Sequence, residues 1–387
     1  MYRSSNYLLL FLFLTTLGCR KPYDPPVVAN PPSYLVVEGT IVSGPDSTII
    51  KLTHTVSLSN GHAPTPVANA AVTVESDANV VYPLTEIRTG YYIAPGLNLD
   101  NTAKYRLRIK TPDNQQYLSD FVPVNITPPI DSIGFTTSNA GLNIYANTHD
   151  PQNNTHYYRW EYTETWQFHA MYSADLITDG TKLINRTPSQ QIYYCFANDV
   201  SSTILLWSSA KLAQDVIYQS PIAFVPSTSE KVELKYSILV RQYGLTSDAF
   251  KFWTNLKKNT EQLGSIFDAE PSQINGNIHN IANQGVPAIG YISACAVQTK
   301  RIFISNTQLP AAWRTTYPFE CPVDSLLYSD PITKTNQVQE FLIPLGTSEL
   351  SFGPIYKQNV IIGYLGTDLE CADCTIRGVT QAPGFWR

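Results

Sequence analysis

The most reactive side chains in the sequence are its six cysteines. Cys371 and Cys374 form a Cys-x-x-Cys pair near the C-terminus, a spacing compatible with a redox pair, half of a zinc site or a structural disulfide. A structural zinc site takes four nitrogen or sulfur ligands, and no second Cys-x-x-Cys or His-x3-His occurs to complete one. A thioredoxin-like pair opens a helix after a strand, whereas this one sits in a Gly- and Pro-containing tail. The expectation is a structural disulfide, within the pair or from one member to Cys321 or Cys295. With Cys19 set aside, Cys195, Cys295, Cys321, Cys371 and Cys374 allow at most two bridges and leave one thiol over.

The segment Phe267–His279 concentrates Asp268, Glu270, Gln273, Asn275, Asn277 and His279 in one irregular stretch. Loops on a rigid scaffold are where binding groups gather, so these six are the candidate binding residues. The plainer alternative is a turn-rich connection held by its own side-chain hydrogen bonds. Six histidines show no metal spacing, and neither His-Glu-x-x-His, Gly-x-Ser-x-Gly nor a Gly-rich phosphate loop is present. Glu161 and Glu164 straddle one strand and point to opposite faces, unlike a paired-carboxylate site. The aromatic run Tyr157–Phe168 can line a glycan platform, although alternating Tyr and Trp more often form core and cross-strand pairs. No catalytic residue, metal or cofactor is assigned, and a non-enzymatic role is expected.

Cys19 has different surroundings. Arg3 supplies the only charge before it, Tyr7 to Leu17 form an apolar run, and Gly18 precedes the cysteine. That run is of signal-peptide length and too short to span a bilayer. The order resembles a lipobox, with Thr16 where Leu is usual. Residues 1–18 are therefore expected to be a lipoprotein signal peptide, Cys19 the lipidated residue, and the Pro-rich stretch 19–32 an extended tether.

These groups need elements to hold them. Charged residues are 15% of the chain, well below the usual ~25%, while 24 Tyr and 27 Pro accompany abundant Ser, Thr and Asn. This chemistry suits short strands joined by polar turns. A net charge of −5, without a clustered basic segment, argues against nucleic acid as partner. Seven short strands separated by turn residues run from residue 33 to about 124, indicating an immunoglobulin-like β-sandwich over 33–125. Pro123, Pro128 and Pro129 mark a boundary. Beyond it, 126–387 reads as a larger β-rich region with strands at 142–150, 155–168 and 232–240. One clear helix, 247–263, carries Ala249, Phe252, Trp253, Leu256 and Leu263 on one face, with Thr246 or Ser247 as cap. The fold class is mainly β.

Several blocks together carry a family resemblance: Tyr236–Tyr243, Ala249–Trp253, Leu256–Glu261, Gly264–Asp268, Gly276–Ile278, Gly290-Tyr291, Cys371-Ala372-Asp373-Cys374 and Phe385-Trp386. From Tyr34 to Trp386 the chain resembles the domain-of-unknown-function family 4249, a set of Bacteroidota envelope lipoproteins. Ile376 and Val379-Thr380 depart from the family's usual second basic residue and Gly-Thr. The resemblance implies an outer-membrane lipoprotein, often encoded beside TonB-dependent receptors, and transfers no catalytic or ligand residue. The expected function is a binding or accessory subunit, anchored in the outer membrane and cooperating with a TonB-dependent transporter. The alternatives are an envelope hydrolase or carbohydrate-active protein, or a structural or adhesive surface protein.

Overall fold

A computed structural model describes residues 33–56, 63–261, 276–283, 286–346 and 349–386. Residues 1–32 with Cys19, and Asp268, Glu270, Gln273 and Asn275, lie outside the described residues. Strand accounts for 48% and helix for 11%, so the protein is mainly β. No helix among the described residues is long and apolar enough to cross a membrane.

The first unit contains β1 (Leu35–Val42), β2 (Thr48–His54), β3 (Thr65–Pro66), β4 (Ala71–Ser76), β5 (Val81–Arg88), β6 (Tyr91–Ala94), β7 (Lys104–Lys110), β8 (Gln116–Ser119) and β9 (Val122–Asn125). Each expected strand segment forms, and the seventh splits into β8 and β9 at Asp120 and Phe121. Period-two alternation places Tyr105, Leu107 and Ile109 of β7 in the interior, each 1% exposed.

The immunoglobulin-like sandwich expected for 33–125 is replaced by a closed barrel. The ladder runs β7-β4-β5-β6-β2-β1, then through a short strand at Ala294–Cys295 to β9, which pairs back onto β7. That makes an eight-stranded barrel. Closure comes from far downstream in the sequence. Ala294 lies parallel to Ile41 on one side and to Val124 on the other. The amides of Val37 and Ile41 donate to the carbonyls of Ile289 and Ser293, both at 2.8 Å. Ile278, Ala288, Ile292 and Ala294 join the barrel core. The boundary at 126 therefore marks a change of pairing, and residues 276–283 and 286–295 return to the first unit. A full barrel satisfies edge N–H and C=O groups that an open sheet leaves exposed.

The sandwich geometry appears instead in the second unit. Its strands are β10 (Ile130–Thr137), β11 (Gly141–His149), β12 (Tyr157–His169), β13 (Leu176–Thr178), β14 (Leu183–Asn185), β15 (Tyr194–Val200), β16 (Leu205–Ser208), β17 (Val216–Pro226) and β18 (Lys235–Gly244). After these come β19 (Ile278–Asn280), β20 (Ala294–Cys295), β21 (Gln298–Ser305), β22 (Asp324–Leu327), β23 (Glu349–Lys357) and β24 (Val360–Asp368). The sheets β10-β11-β17 and β15-β12-β18-β21 face each other across one core. Leu142, Ile144, Ile217 and Val225 meet Tyr158, Trp160, Phe168, Tyr236, Ile238 and Val240 there. Consecutive strands β11 and β12 thus belong to opposite sheets. Between them the Asp150 carboxylate accepts from the amides of Gln152, Asn154 and Thr155 at 2.8–2.9 Å.

Gln242 fastens the two sheets and the boundary segment together. Its Oε1 accepts from Trp160 Nε1 at 2.9 Å, and its Nε2 donates to Pro128 O at 2.8 Å and Thr148 Oγ1 at 3.0 Å. Such a satisfied buried group specifies one register, whereas an unsatisfied one costs about 1–3 kcal/mol.

The helix is described over Ser247–Glu261, with Thr246 Oγ1 accepting from the Ala249 amide at 3.2 Å. Ala249 and Phe252 are buried, and Lys257 and Glu261 form the i,i+4 pair at 3.8 Å. A third sheet, β22-β24-β23, packs over Leu326, Val338, Leu342 and Ile343.

The Cys-x-x-Cys pair does not close on itself. Cys371 bonds to Cys321, one of the expected partners, whereas Cys374 bonds to Cys195, which was not among them. A short helix, Leu369–Ala372, ends between the two cysteines and a 3-10 turn begins at Cys374. Cys295 is the remaining buried thiol.

Candidate functional site

Two of the six loop candidates are described, and both attach the chain to the barrel. Asn277 is 5% exposed. Its Nδ2 donates to Ile292 O at 2.9 Å and its Oδ1 accepts from the Ile292 amide at 2.8 Å. The side chain imitates a strand partner and is turned inward to the Ile292 main chain. His279 lies on β19 opposite Leu118, with Nε2 3.2 Å from Asp120 Oδ1 in an exposed pair. For these two residues the structural-connection alternative holds.

A Ser, a His and an Asp do meet elsewhere, in an order unsuited to nucleophilic catalysis. Ser209 Oγ donates directly to the Asp215 carboxylate, while His156 Nδ1 lies 3.4 Å from the same hydroxyl. The serine stands between the other two and is wholly buried, so no imidazole bridges nucleophile and carboxylate. Tyr158 also donates to Asp215, and the cluster holds the β12 entrance.

The concave site with converging polar groups lies where the barrel meets the sandwich. A cavity of about 410 Å³ is lined by Gly39, Val42, Asp46 and Ile49 of the β1–β2 hairpin and by Arg159, Glu161, Arg241 and Tyr243 of the facing sheet. This volume falls within the usual range of small-molecule sites. The floor is an apolar junction in which Tyr243, Leu245, Ala249 and Cys295 pack with Trp253 and Val297. Burial pushes the Cys295 thiol up to about 12, so it stays protonated and acts as a small apolar side chain.

Strand alternation generates the charged wall. Arg159, Glu161 and Thr163 are successive outward positions of β12, and in register they face Tyr243, Arg241 and Leu239 of β18. Arg159 is only 8% exposed. Its guanidinium stands 4.3 Å from the Tyr243 ring and 4.4 Å from the Trp253 ring, and it donates to Glu161 Oε1. Its Nε has no hydrogen-bond partner among the described residues. Tyr243 donates its hydroxyl to Glu161 Oε2 at 2.7 Å, so both carboxylate oxygens are engaged. Burial alone would raise the Glu161 pKa, but Arg159, Tyr243 and Arg241 together hold it below the ordinary range. Burial, reinforced by the Glu161 charge, pushes the Tyr243 phenol above its ordinary value and keeps it a donor.

Arg241 has a neutral partner, donating to Thr163 Oγ1 at 3.0 Å. On β21, Arg301 donates to Ser237 Oγ at 3.0 Å and stacks on Phe385 at 3.6 Å. Burial first, and then the like charge of Arg241, lower the Arg301 pKa. Glu164 points to the other face, bonded to Tyr236 and Lys231, as the strand period requires. The outward face of β12 and β18 thus sets Arg159 and Arg241 beside Glu161, with Arg301 farther along on β21. The sequence alone singled out Glu161 but not the arginines. Their signal was present in Tyr-Tyr-Arg-Trp-Glu-Tyr and Leu-Val-Arg-Gln-Tyr, where arginine occupies mid-strand positions of a charge-poor chain.

Barrel, sandwich and cleft define a two-unit β protein with a polar junction site. Over residues 20–301 the chain matches the family described as Domain of unknown function (DUF4249), and it belongs to that family. The match ends at Arg301, so the Cys371–Cys374 pair and the Phe385-Trp386 ending lie beyond the matched residues. No curated protein matches the chain.

Proposed function

We propose that this protein is a binding or accessory subunit, anchored in the outer membrane by lipid on Cys19 and working with a TonB-dependent transporter. The observation that carries the binding role is the junction cleft. Its Arg159 is held between the Tyr243 and Trp253 rings, and its one sheet-face carboxylate is committed at both oxygens to Arg159 and Tyr243. A carboxylate held ionised in this way orients cations; it does not shuttle protons, for which a pKa near the working pH is required. Support for the anchor comes from the apolar run before Gly18-Cys19 and the Pro-rich stretch after it. Tethering raises the effective concentration of a membrane partner, so modest contacts are sufficient for association.

Mass spectrometry of the mature N-terminus should find diacylglycerol on Cys19, and Cys19→Ala should release the chain from membranes. Pull-down of the native protein from solubilised outer membranes should recover a TonB-dependent transporter. An unmodified Cys19 would remove the anchor from this reading, and reproducible recovery without a transporter would remove the partner.

A further inference from the structure

We infer that the junction cleft binds a small organic carboxylate with an apolar body, its carboxylate seated on Arg241 beside Arg159. The inference rests on reading the cleft as a binding site and specifies what that site takes. Two independent observations lead to it. One is charge: Arg159 and Arg241 line the cavity, and Glu161 is the one carboxylate on the outward face of β12 and β18. The single carboxylate is consumed by Arg159 and Tyr243, which leaves Arg241 with a neutral hydroxyl as its partner. The other is desolvation: Arg159 is 8% exposed, and its Nε–H has no acceptor among the described residues. A buried guanidinium with an unmet donor is costly; the charge of an anion on the adjacent Arg241 offsets that cost, and the planar Arg241 fork suits a bidentate carboxylate.

The opposite wall fixes the rest of the ligand. Val42 and Ile49 of the β1–β2 hairpin line the cavity together with Val297 of its floor. Ile49 leaves 46% of its surface exposed, although it belongs to a barrel strand. The cavity is too small for a folded partner and matches a ligand with one charged end and one apolar end. Asp46 stands at the rim, and its charge disfavours a second anionic group at that end.

The test uses the full exported chain carrying Cys19→Ala, which leaves every described residue unchanged. Titration with 4-phenylbutyrate, followed by calorimetry and by the methyl resonances of Ile49 and Val297, should show saturable one-site binding. The uncharged analogue 4-phenylbutanol should bind at least about tenfold more weakly, the scale of one lost charge-assisted contact. Arg241→Gln should weaken 4-phenylbutyrate by a similar factor, with Arg241→Lys intermediate and the melting curves unchanged. Ile49→Glu, on the exposed rim, should weaken it independently. Equal binding of the alcohol would overturn the inference. So would full affinity in Arg241→Gln, or no binding at about 10 mM probe, the weak end of specific recognition. If a transporter co-purifies while the carboxylate fails to bind, this inference falls and the accessory-subunit reading stands. If the carboxylate binds and no transporter is recovered, the reverse holds.

Discussion

The barrel and the sandwich solve the same problem in different ways. Each must bury one face of its strands and dispose of sheet edges. The barrel does so with main-chain bonds, recruiting Ala294–Cys295 from beyond β18 in the sequence to join β1 to β9. The sandwich stays a pair of open sheets and relies on cross-links: Cys195–Cys374 ties β15 to the C-terminal tail, and Gln242 ties both sheets to Pro128. A barrel closed by so distant a segment depends on late, long-range contacts, whereas covalent links act mainly by restricting the unfolded chain. The comparison also explains where the cleft lies. The segment that closes the barrel leads directly into β21 of the sandwich, so the two units meet along Cys295–Gln298 with the arginine-bearing face beside the β1–β2 hairpin.

Removing one device from each unit should separate them. The largest effect should come from Cys195→Ser combined with Cys374→Ser, whose bridge spans a sequence separation of 179 residues. Chain-entropy arguments put the loss at up to about 5 kcal/mol. Urea unfolding with hydrogen exchange should show protection falling in β12, β15 and β18 while β4 and β7 keep theirs. Equal loss in both units would mean that they unfold as one cooperative body.

Asn277→Ala is the counterpart in the barrel. It strands the amide and carbonyl of Ile292, and should cost about 2–3 kcal/mol, with exchange quickening first in β1, β9 and the 289–295 segment. An unchanged unfolding midpoint would return Asn277 to the list of ligand-binding candidates.

A smaller effect is expected at the junction, and it depends on pH. The folded state depresses the Glu161 pKa from the ordinary 4.5. Its contribution to stability is therefore fully present above that value and is lost as the pH falls through the lower folded value. Because the side chain is 40% exposed, solvent screening keeps the effect below about 1 kcal/mol. Glu161→Gln should flatten the acid limb of a stability-against-pH curve recorded down from pH 5, and an unaltered limb would show that the carboxylate is not coupled to folding. Smallest of all, His279→Ala should shift stability by no more than about 0.5 kcal/mol and leave ligand binding intact. A large loss of binding in that variant would move the site from the cleft to the loop.

Much of this arrangement can be read locally. Alternation in Lys104–Lys110 gives β7, the cap at Thr246 and the apolar face through Phe252 give the helix, and the outward placement of Glu161 against Glu164 follows from the strand period. The closing strand is not legible in this way. Two residues in the run Ala288–Cys295 carry no periodicity, and their partners lie on β1 and β9. The cleft was missed for a related reason. Arg159 and Arg241 are 82 residues apart, and each alone looks like a solvated charge on a strand; only the β12–β18 register sets both beside Glu161.

By itself the sequence determined that this is a β-rich chain, where the strands of the first unit, three segments of the second and the helix lie, and that five cysteines beyond Cys19 leave one unpaired. Those properties depend on spacing along the chain, where the period of two and the cap chemistry act between near neighbours. Tertiary structure alone decided that the first unit closes as a barrel and the second stacks as a sandwich. It also decided that Cys374 reaches Cys195 and that the arginines converge on one cleft. Each of these depends on which edges and faces meet after long loops close, and the sum of many weak contacts across the whole molecule selects that outcome.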